Sequence, residues 1–148
     1  MNRHAMGRNA LFLATAFLVA SCAMMQPGST VSLGGKMAGV NEVPAVMTDG
    51  TGTAEVTLNK DTNLLKWKVT YSGLTGPARA AHFHGPAEAG KNAGVILGFK
   101  GSVESPIQGE ATVTPAQAAE ILAGKWYANV HTAKNPGGEI RAQVVPTM

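Results

Sequence analysis

Two histidines separated by one residue are the part of the sequence best suited to chemistry. His82 and His84 flank Phe83 in a stretch with the composition of a β-strand. Because side chains two residues apart point to the same face of a strand, both imidazoles project together and can ligate one metal ion. A third histidine, His131, lies further along the chain. The pattern predicts a metal site if the strand carrying His131 lies beside the strand carrying the pair.

The alternation of apolar and polar residues assigns a face to each histidine. Trp126, Ala128 and Val130 alternate with His131, and Phe83 separates the other two histidines. Such alternation is typical of a sheet with one face on the core and one in water, so all three histidines are predicted on the outer face. Imidazole suits copper, zinc, iron and nickel, and the spacing alone does not choose among them. The alternative is three unligated surface histidines.

The elements that must position these residues are predicted to be β-strands. Short β-rich runs alternate with glycine, asparagine, aspartate and proline, which is typical of an all-β domain. Strands are expected near residues 31–39, 52–58, 63–71, 79–84, 94–100, 107–113, 125–131 and 138–145. This number of strands predicts a Greek-key β-sandwich or flattened barrel.

One short helix is expected among the strands. Thr114 is its N-cap, Pro115 occupies its first position, and Gln117 completes a capping box. Gly124 then ends the helix.

Residues 1–21 have the pattern of an export signal. They contain two arginines and no acid before an apolar run at residues 10–20, which is too short for a typical transmembrane helix. The run ends in Leu18-Val19-Ala20-Ser21-Cys22, which resembles the lipobox of bacterial lipoproteins. The resemblance implies cleavage before Cys22 and lipidation of this residue, with residues 22–30 as a flexible tether. An ordinary secretory signal cut near the same position is the alternative.

Charge and cysteine content argue against a nucleic-acid-binding protein and against a disulfide-stabilised domain. The chain has 12 Lys and Arg against 9 Asp and Glu, and two of the arginines lie in the export signal, which leaves ten against nine. A nucleic-acid partner would need a clustered basic face and is not expected. Cys22 is the only cysteine, so the domain has no disulfide and depends on packing. The expected location is the bacterial cell envelope, lipid-anchored and facing the periplasm.

Several motifs resemble the CHRD (chordin-type) domain. They are Asn41-Glu42-Val43-Pro44, the stretch from Tyr71 to Pro86, and the stretch from Leu122 to Arg141. Together they extend over most of residues 31–148, which are assigned to one CHRD domain. The resemblance implies an extracytoplasmic β-domain and says little about its chemistry.

A more distant resemblance is to copper/zinc superoxide dismutases. Gly73-Leu74-Thr75 followed by His82-Phe83-His84-Gly85 is similar to that family's copper strand, and Val130-His131-Thr132 before a glycine-rich turn is similar to a further ligand. The resemblance implies that His82, His84 and His131 match three of four copper ligands. The bridging and zinc-loop histidines have no match, and Glu139 stands in place of the active-site arginine. It therefore implies a mononuclear three-histidine copper site, with no catalytic residue assigned.

Two other side chains are candidates near such a site. Met47 is a thioether that could complete a Cu(I) site. Glu42 is either a hydrogen-bond partner for a ligating imidazole or a solvated loop carboxylate. Alternation in the last strand predicts that Glu139, Arg141 and Gln143 face outward.

The leading hypothesis is an exported lipoprotein whose CHRD domain binds one copper ion for copper handling or tolerance. One alternative is a metal-free module that recognises a protein partner, unspecified by the sequence, or a component of the cell envelope. The other is an enzyme related to copper-only superoxide dismutases.

Overall fold

The computed structural model describes residues 29–147, and all eight predicted strands are present. Their bounds are β1 Thr30–Ala38, β2 Thr51–Asn59, β3 Leu64–Ser72, β4 Ala78–His84, β5 Val95–Gly98, β6 Ile107–Thr112, β7 Trp126–Thr132 and β8 Ile140–Pro146. The predicted signal peptide, Cys22 and the tether up to residue 28 lie outside the described residues. Between residues 29 and 147 there is no helix with the length and apolar character needed to cross a membrane.

The strands form one antiparallel sheet that curls into a half-barrel. Its strand order is β5-β4-β7-β8-β1-β2-β3-β6, so β7 lies beside β4 although two strands and a helix separate them in the chain. β8 likewise returns to lie beside β1, so β8-β1-β2-β3 has the strand order of the Greek key predicted from the sequence. The curl brings Trp67 of β3 within 5.5 Å of Phe83 of β4, measured between ring centroids.

The inner face of the sheet is the hydrophobic core. Alternate residues of the strands point inward and are almost completely buried, among them Val56, Leu58, Leu65, Val69, Phe83, Val130 and Ile140. Fully burying such a side chain contributes about 1.5–3 kcal/mol. Alternation predicted this face correctly, because apolar side chains at every second position of a strand lie on the same face and are buried as a set.

One α-helix lies within residues 29–147: α1 (Pro115–Leu122), which begins and ends as predicted. Thr114 Oγ1 accepts a hydrogen bond from the backbone N–H of Gln117, and the Gln117 side chain accepts one from the Thr114 N–H. After the helix, Gly124 adopts a left-handed conformation with φ +69°. The helix connects β6 to β7 across the curled sheet and so allows β7 to reach β4.

The outer face of β4, β7 and β8 differs from the prediction because it is not open to water. All seven residues of β7 are buried, and Glu139 and Arg141 are only 0% and 4% exposed. Gln143 is half-buried and donates to the Ala87 carbonyl. Long connections fold over this half of the sheet, and their polar groups satisfy the residues beneath. The histidines therefore lie on the outer face, as predicted, but in a covered layer.

Candidate metal centre

The ladder between β4 and β7 brings the three histidines together. His82 pairs with Asn129, and Ala80 pairs with His131, so the imidazoles of His82 and His131 are diagonal neighbours on one face. The imidazole of His84 projects from the same face two residues along β4. Each histidine offers one nitrogen, and these three nitrogens lie within 4.8 Å of one another. The arrangement is a compact cluster of three imidazoles.

Backbone carbonyls determine which nitrogens face the centre of the cluster. His84 Nδ1 lies 3.0 Å from the Ala93 carbonyl, and His131 Nδ1 lies 2.9 Å from the Pro136 carbonyl. Because a carbonyl only accepts hydrogen bonds, each Nδ1 carries a proton and each Nε2 has a free lone pair. Anchoring of this kind is the usual outer-shell support of metal-ligating histidines.

Binding a ligand would stabilise the Nε2 atom of His84. It is buried and has no hydrogen-bond partner among residues 29–147. A buried polar atom left unsatisfied costs about 1–3 kcal/mol. His131 Nε2 lies 3.2 Å from His82 Nδ1, so these two ring nitrogens face each other. The donor set therefore fits a metal ion that accepts nitrogen ligands.

The three imidazoles are held in their neutral form. His84 and His131 are each 8% exposed, and His82 is half-buried. Burial lowers the pKa of all three histidines, and His131 lowers that of His82 and His84 further. The Arg141 guanidinium also lowers the pKa of His84 and His131. Neutral imidazole is the form that binds metals, so the site needs no proton release at neutral pH.

A stack of three side chains supports His84. Its ring is parallel to that of Tyr127, with centroids 4.8 Å apart and 3° between the planes. The Arg141 guanidinium lies 4.0 Å from the centroid of the same tyrosine. Since β7 lies between β4 and β8, His84 and Arg141 approach Tyr127 from its two sides. The sequence prediction missed Tyr127, although alternation places it on the same face as His131.

Glu42 supports this stack and not a histidine. Its Oε2 accepts a hydrogen bond from Arg141 Nε at 3.1 Å and forms an ion pair with Arg141 Nη2 at 3.0 Å, and its Oε1 accepts a hydrogen bond from Asn129 Nδ2 at 3.0 Å. Glu42 is 5% exposed, so the interpretation as a solvated loop carboxylate is wrong. Burial raises its pKa, and Arg141 opposes that rise. The carboxylate fixes Arg141 behind Tyr127.

The methionine candidate has a different environment. Met47 is 91% exposed, so its thioether lies in solvent and not among the buried imidazoles.

A second buried carboxylate was not predicted. Glu139 is 0% exposed and accepts hydrogen bonds from Thr48, Thr75, Thr132 and Asn135. Although burial raises its pKa, the hydrogen bonds from Thr132, Thr48 and Thr75 lower it to about 2. The network ties down the β7–β8 connection, which supplies the Pro136 carbonyl to His131. No sequence pattern indicated this role, because alternation placed Glu139 on an outward face.

The open side of the cluster lies over β5. Gly98 pairs with His82, and a Cβ placed on Gly98 would meet only Cδ2 of His82, at 3.9 Å. His82, the least buried of the three histidines, therefore faces this open side.

Comparison with known proteins agrees with the fold. The family model of the CHRD domain matches residues 33–144. The matched range contains all three histidines, Glu42, Tyr127 and Arg141. Searches of curated proteins and of solved structures find no significant match to the chain.

Proposed function

The chain belongs to the CHRD-domain family, and we propose that this member binds one copper ion through His82, His84 and His131. The observation that carries the proposal is the orphaned Nε2 of His84, buried beside two further imidazole nitrogens. Copper is a good partner for imidazole, and a bound copper ion would supply one-electron redox chemistry. The protein's own contribution is to fix two of the rings through backbone carbonyls and to shield them from water.

The proposed role is copper handling or tolerance in the cell envelope. Support comes from the lipobox-like end of the apolar segment, Leu18 to Cys22, which would export the protein and anchor it through a lipid on Cys22, facing the periplasm. Turnover of superoxide is not part of the proposal. Arg141 is 4% exposed and paired with Glu42, so it cannot attract an anionic substrate through solvent.

Removing two ligands tests the site. The chain is expected to bind about one copper ion, and the double variant His82→Ala/His84→Ala is expected to lose more than about a hundredfold in affinity, because each imidazole donor is a direct ligand. Copper content after gel filtration and a competition titration measure both quantities. Gln108→Ala, an exposed change on the edge strand β6, is the control and should leave binding intact.

Two results would contradict this proposal. Stoichiometric copper in the folded double variant would exclude the histidine site. Absence of copper binding in the unchanged chain would favour the metal-free interaction module, and circular dichroism would show that both proteins are folded.

The pH dependence of copper binding follows from the pKa shifts. Protons compete with the metal only when they occupy the free imidazoles, and the pKa of each histidine is lowered from its ordinary value near 6.5. Copper affinity is therefore expected to stay constant from about pH 8 to 7 and to fall below about pH 6.5. Copper retained at stepped pH, with circular dichroism recorded in parallel, measures this. A decline that begins above pH 7 would show that the ligands are not these buried histidines.

A further inference from the structure

We propose that the three-histidine site selects monovalent copper, Cu(I), over the divalent ions Cu(II) and Zn(II). The inference rests on the proposed function, since it names the ionic form that the same site takes. Three features carry it: the charge of the donor set, the charge behind His84, and the number of donors.

The donor set carries no negative charge. Within the described residues the cluster consists of His82, His84 and His131, and no carboxylate or thiolate belongs to it. The two buried acids near β8 are already satisfied, Glu42 by Arg141 and Asn129, and Glu139 by four neighbours. The free energy cost of moving an ion from water into a low-dielectric site grows with the square of its charge. A neutral, mostly buried donor set therefore penalises a dication far more than a monovalent ion.

A fixed positive charge lies behind the site. The Arg141 guanidinium stacks on Tyr127, and Tyr127 stacks on His84. Only the Tyr127 ring therefore separates the guanidinium from the ring of His84 in this stack. Glu42 neutralises part of the charge. The positive charge that is not neutralised repels a divalent ion twice as strongly as a monovalent ion at the same position.

The number of donors points the same way. Zn(II) sites in proteins are almost always four-coordinate, and Cu(II) prefers a tetragonal arrangement. The described residues supply three nitrogens, and the exposed thioether of Met47 is not among them. Cu(I), in contrast, forms stable complexes with only two or three ligands and needs no fourth donor. Water could complete a divalent ion's coordination only from the open side beside His82.

That open side also provides a direct test of the charge argument. Gly98 faces His82 across the β4–β5 ladder, and its φ lies outside the left-handed region, so a side chain can be added there without backbone strain. Gly98→Asp would place a carboxylate beside His82. Gly98→Asn adds an isosteric side chain without the charge and is the matched control.

The experiment compares three ions on three proteins. The unchanged chain, Gly98→Asp and Gly98→Asn are titrated with Cu(I) under anaerobic conditions, and with Cu(II) and Zn(II), each against a chelator of known affinity. In the unchanged chain Cu(I) is expected to bind at least about a hundredfold more tightly than Zn(II). Potentiometry of bound copper is expected to give a potential above that of aqueous copper. Gly98→Asp should shift the preference toward both divalent ions by at least about tenfold, and Gly98→Asn should not.

The outcomes separate this inference from the proposed function. Binding of Cu(II) or Zn(II) to the same histidines as tightly as Cu(I) would overturn the selectivity and leave the copper site in place. Equal behaviour of the Asp and Asn variants would overturn the argument from donor charge. Failure of all three ions to bind to the unchanged chain would overturn the proposed function itself.

Discussion

Replacing Arg141 by glutamine is expected to destabilise the domain by about 3–5 kcal/mol, the usual cost of removing one partner of a buried ion pair. The change leaves the Glu42 carboxylate buried without its cation and removes hydrogen bonds from Arg141 to the Lys91 carbonyl and the Asn92 side chain. It also removes the guanidinium from the face of Tyr127. Urea unfolding at pH 7 measures the loss as a lower midpoint with an unchanged slope.

The pH dependence of the stability of Arg141→Gln tests whether the buried Glu42 carboxylate causes the loss. Burial raises the pKa of Glu42, and the variant lacks the Arg141 charge that opposes this rise. A group with a raised folded-state pKa stabilises the protein at low pH and loses that contribution as pH increases. The difference in unfolding free energy between Arg141→Gln and the unchanged chain should therefore become smaller as pH is lowered from 7 to about 4.5.

Matched variants complete the test of the ion pair. Arg79→Gln, an exposed change on β4, should cost less than about 0.5 kcal/mol. The double variant Glu42→Gln/Arg141→Gln should recover part of the loss, because no charge is then left buried alone. A deficit of Arg141→Gln that is independent of pH and not reduced in the double variant would show that the ion pair is not the cause.

Replacing Glu139 by glutamine is expected to cost about 2–4 kcal/mol, since hydrogen bonds to a charged acceptor contribute about 1.5–3 kcal/mol each and are not additive. The glutamine amide would turn an N–H₂ donor toward Thr48, Thr75 or Thr132, which already donate to the carboxylate. Thermal or urea unfolding measures the change. Glu104→Gln, an exposed substitution before β6, is the control and should be nearly neutral.

Acid titration separates the Glu139 carboxylate from a general packing effect. Its pKa is lowered from 4.5 in the unfolded reference to about 2 in the folded chain. A lowered carboxyl pKa contributes stability that is present above the unfolded pKa of 4.5 and lost as pH falls toward 2, an effect of about 3 kcal/mol at about 1.4 kcal/mol per pKa unit. The unchanged chain should therefore lose this stability on acidification, and Glu139→Gln should lack that component. Parallel acid curves for the two proteins would contradict the role assigned to Glu139.

The Glu139 network also connects stability to the metal centre. Thr132 and Asn135 belong to the segment that carries the Pro136 carbonyl, which anchors His131 Nδ1. Loosening this segment in Glu139→Gln is expected to weaken copper binding about 10–100-fold, as changes to outer-shell partners typically do. A competition titration of the folded variant measures this effect.

Much of the fold was predictable from local patterns. The alternation of apolar and polar side chains in stretches such as Leu65 to Tyr71 indicates which side chains are buried, and it predicted the inner face of the sheet. The capping residues Thr114, Gln117 and Gly124 delimited the helix because each meets a need of the backbone at a helix end. The shared face of His82 and His84 also followed from the period of a strand.

The covering of the outer face could not be predicted in this way. Alternation marks residues as polar, but it does not tell whether they meet water or other polar groups. Glu42 and Arg141 are 99 positions apart, and Glu139 and Thr75 are 64 apart. No periodic signal connects residues across such distances. For this reason Arg141 and Glu139 were predicted on a face in water, and neither of the two roles considered for Glu42 included Arg141 as its partner.

The all-β class, the core face, the helix and the candidate donors follow from local sequence patterns, because each depends on residues near one another in the chain. Only the folded chain shows that β7 pairs with β4 in the register that joins His131 to His82, and that loops bury the cluster. The carbonyls of Ala93 and Pro136, in the loops that follow β4 and β7, hold the Nδ1 atoms, and Nε2 of His84 has no partner among residues 29–147. The strand pairing and the burial of the cluster arise from packing between remote segments, where the free energy of burying polar groups depends on partners that no local pattern specifies.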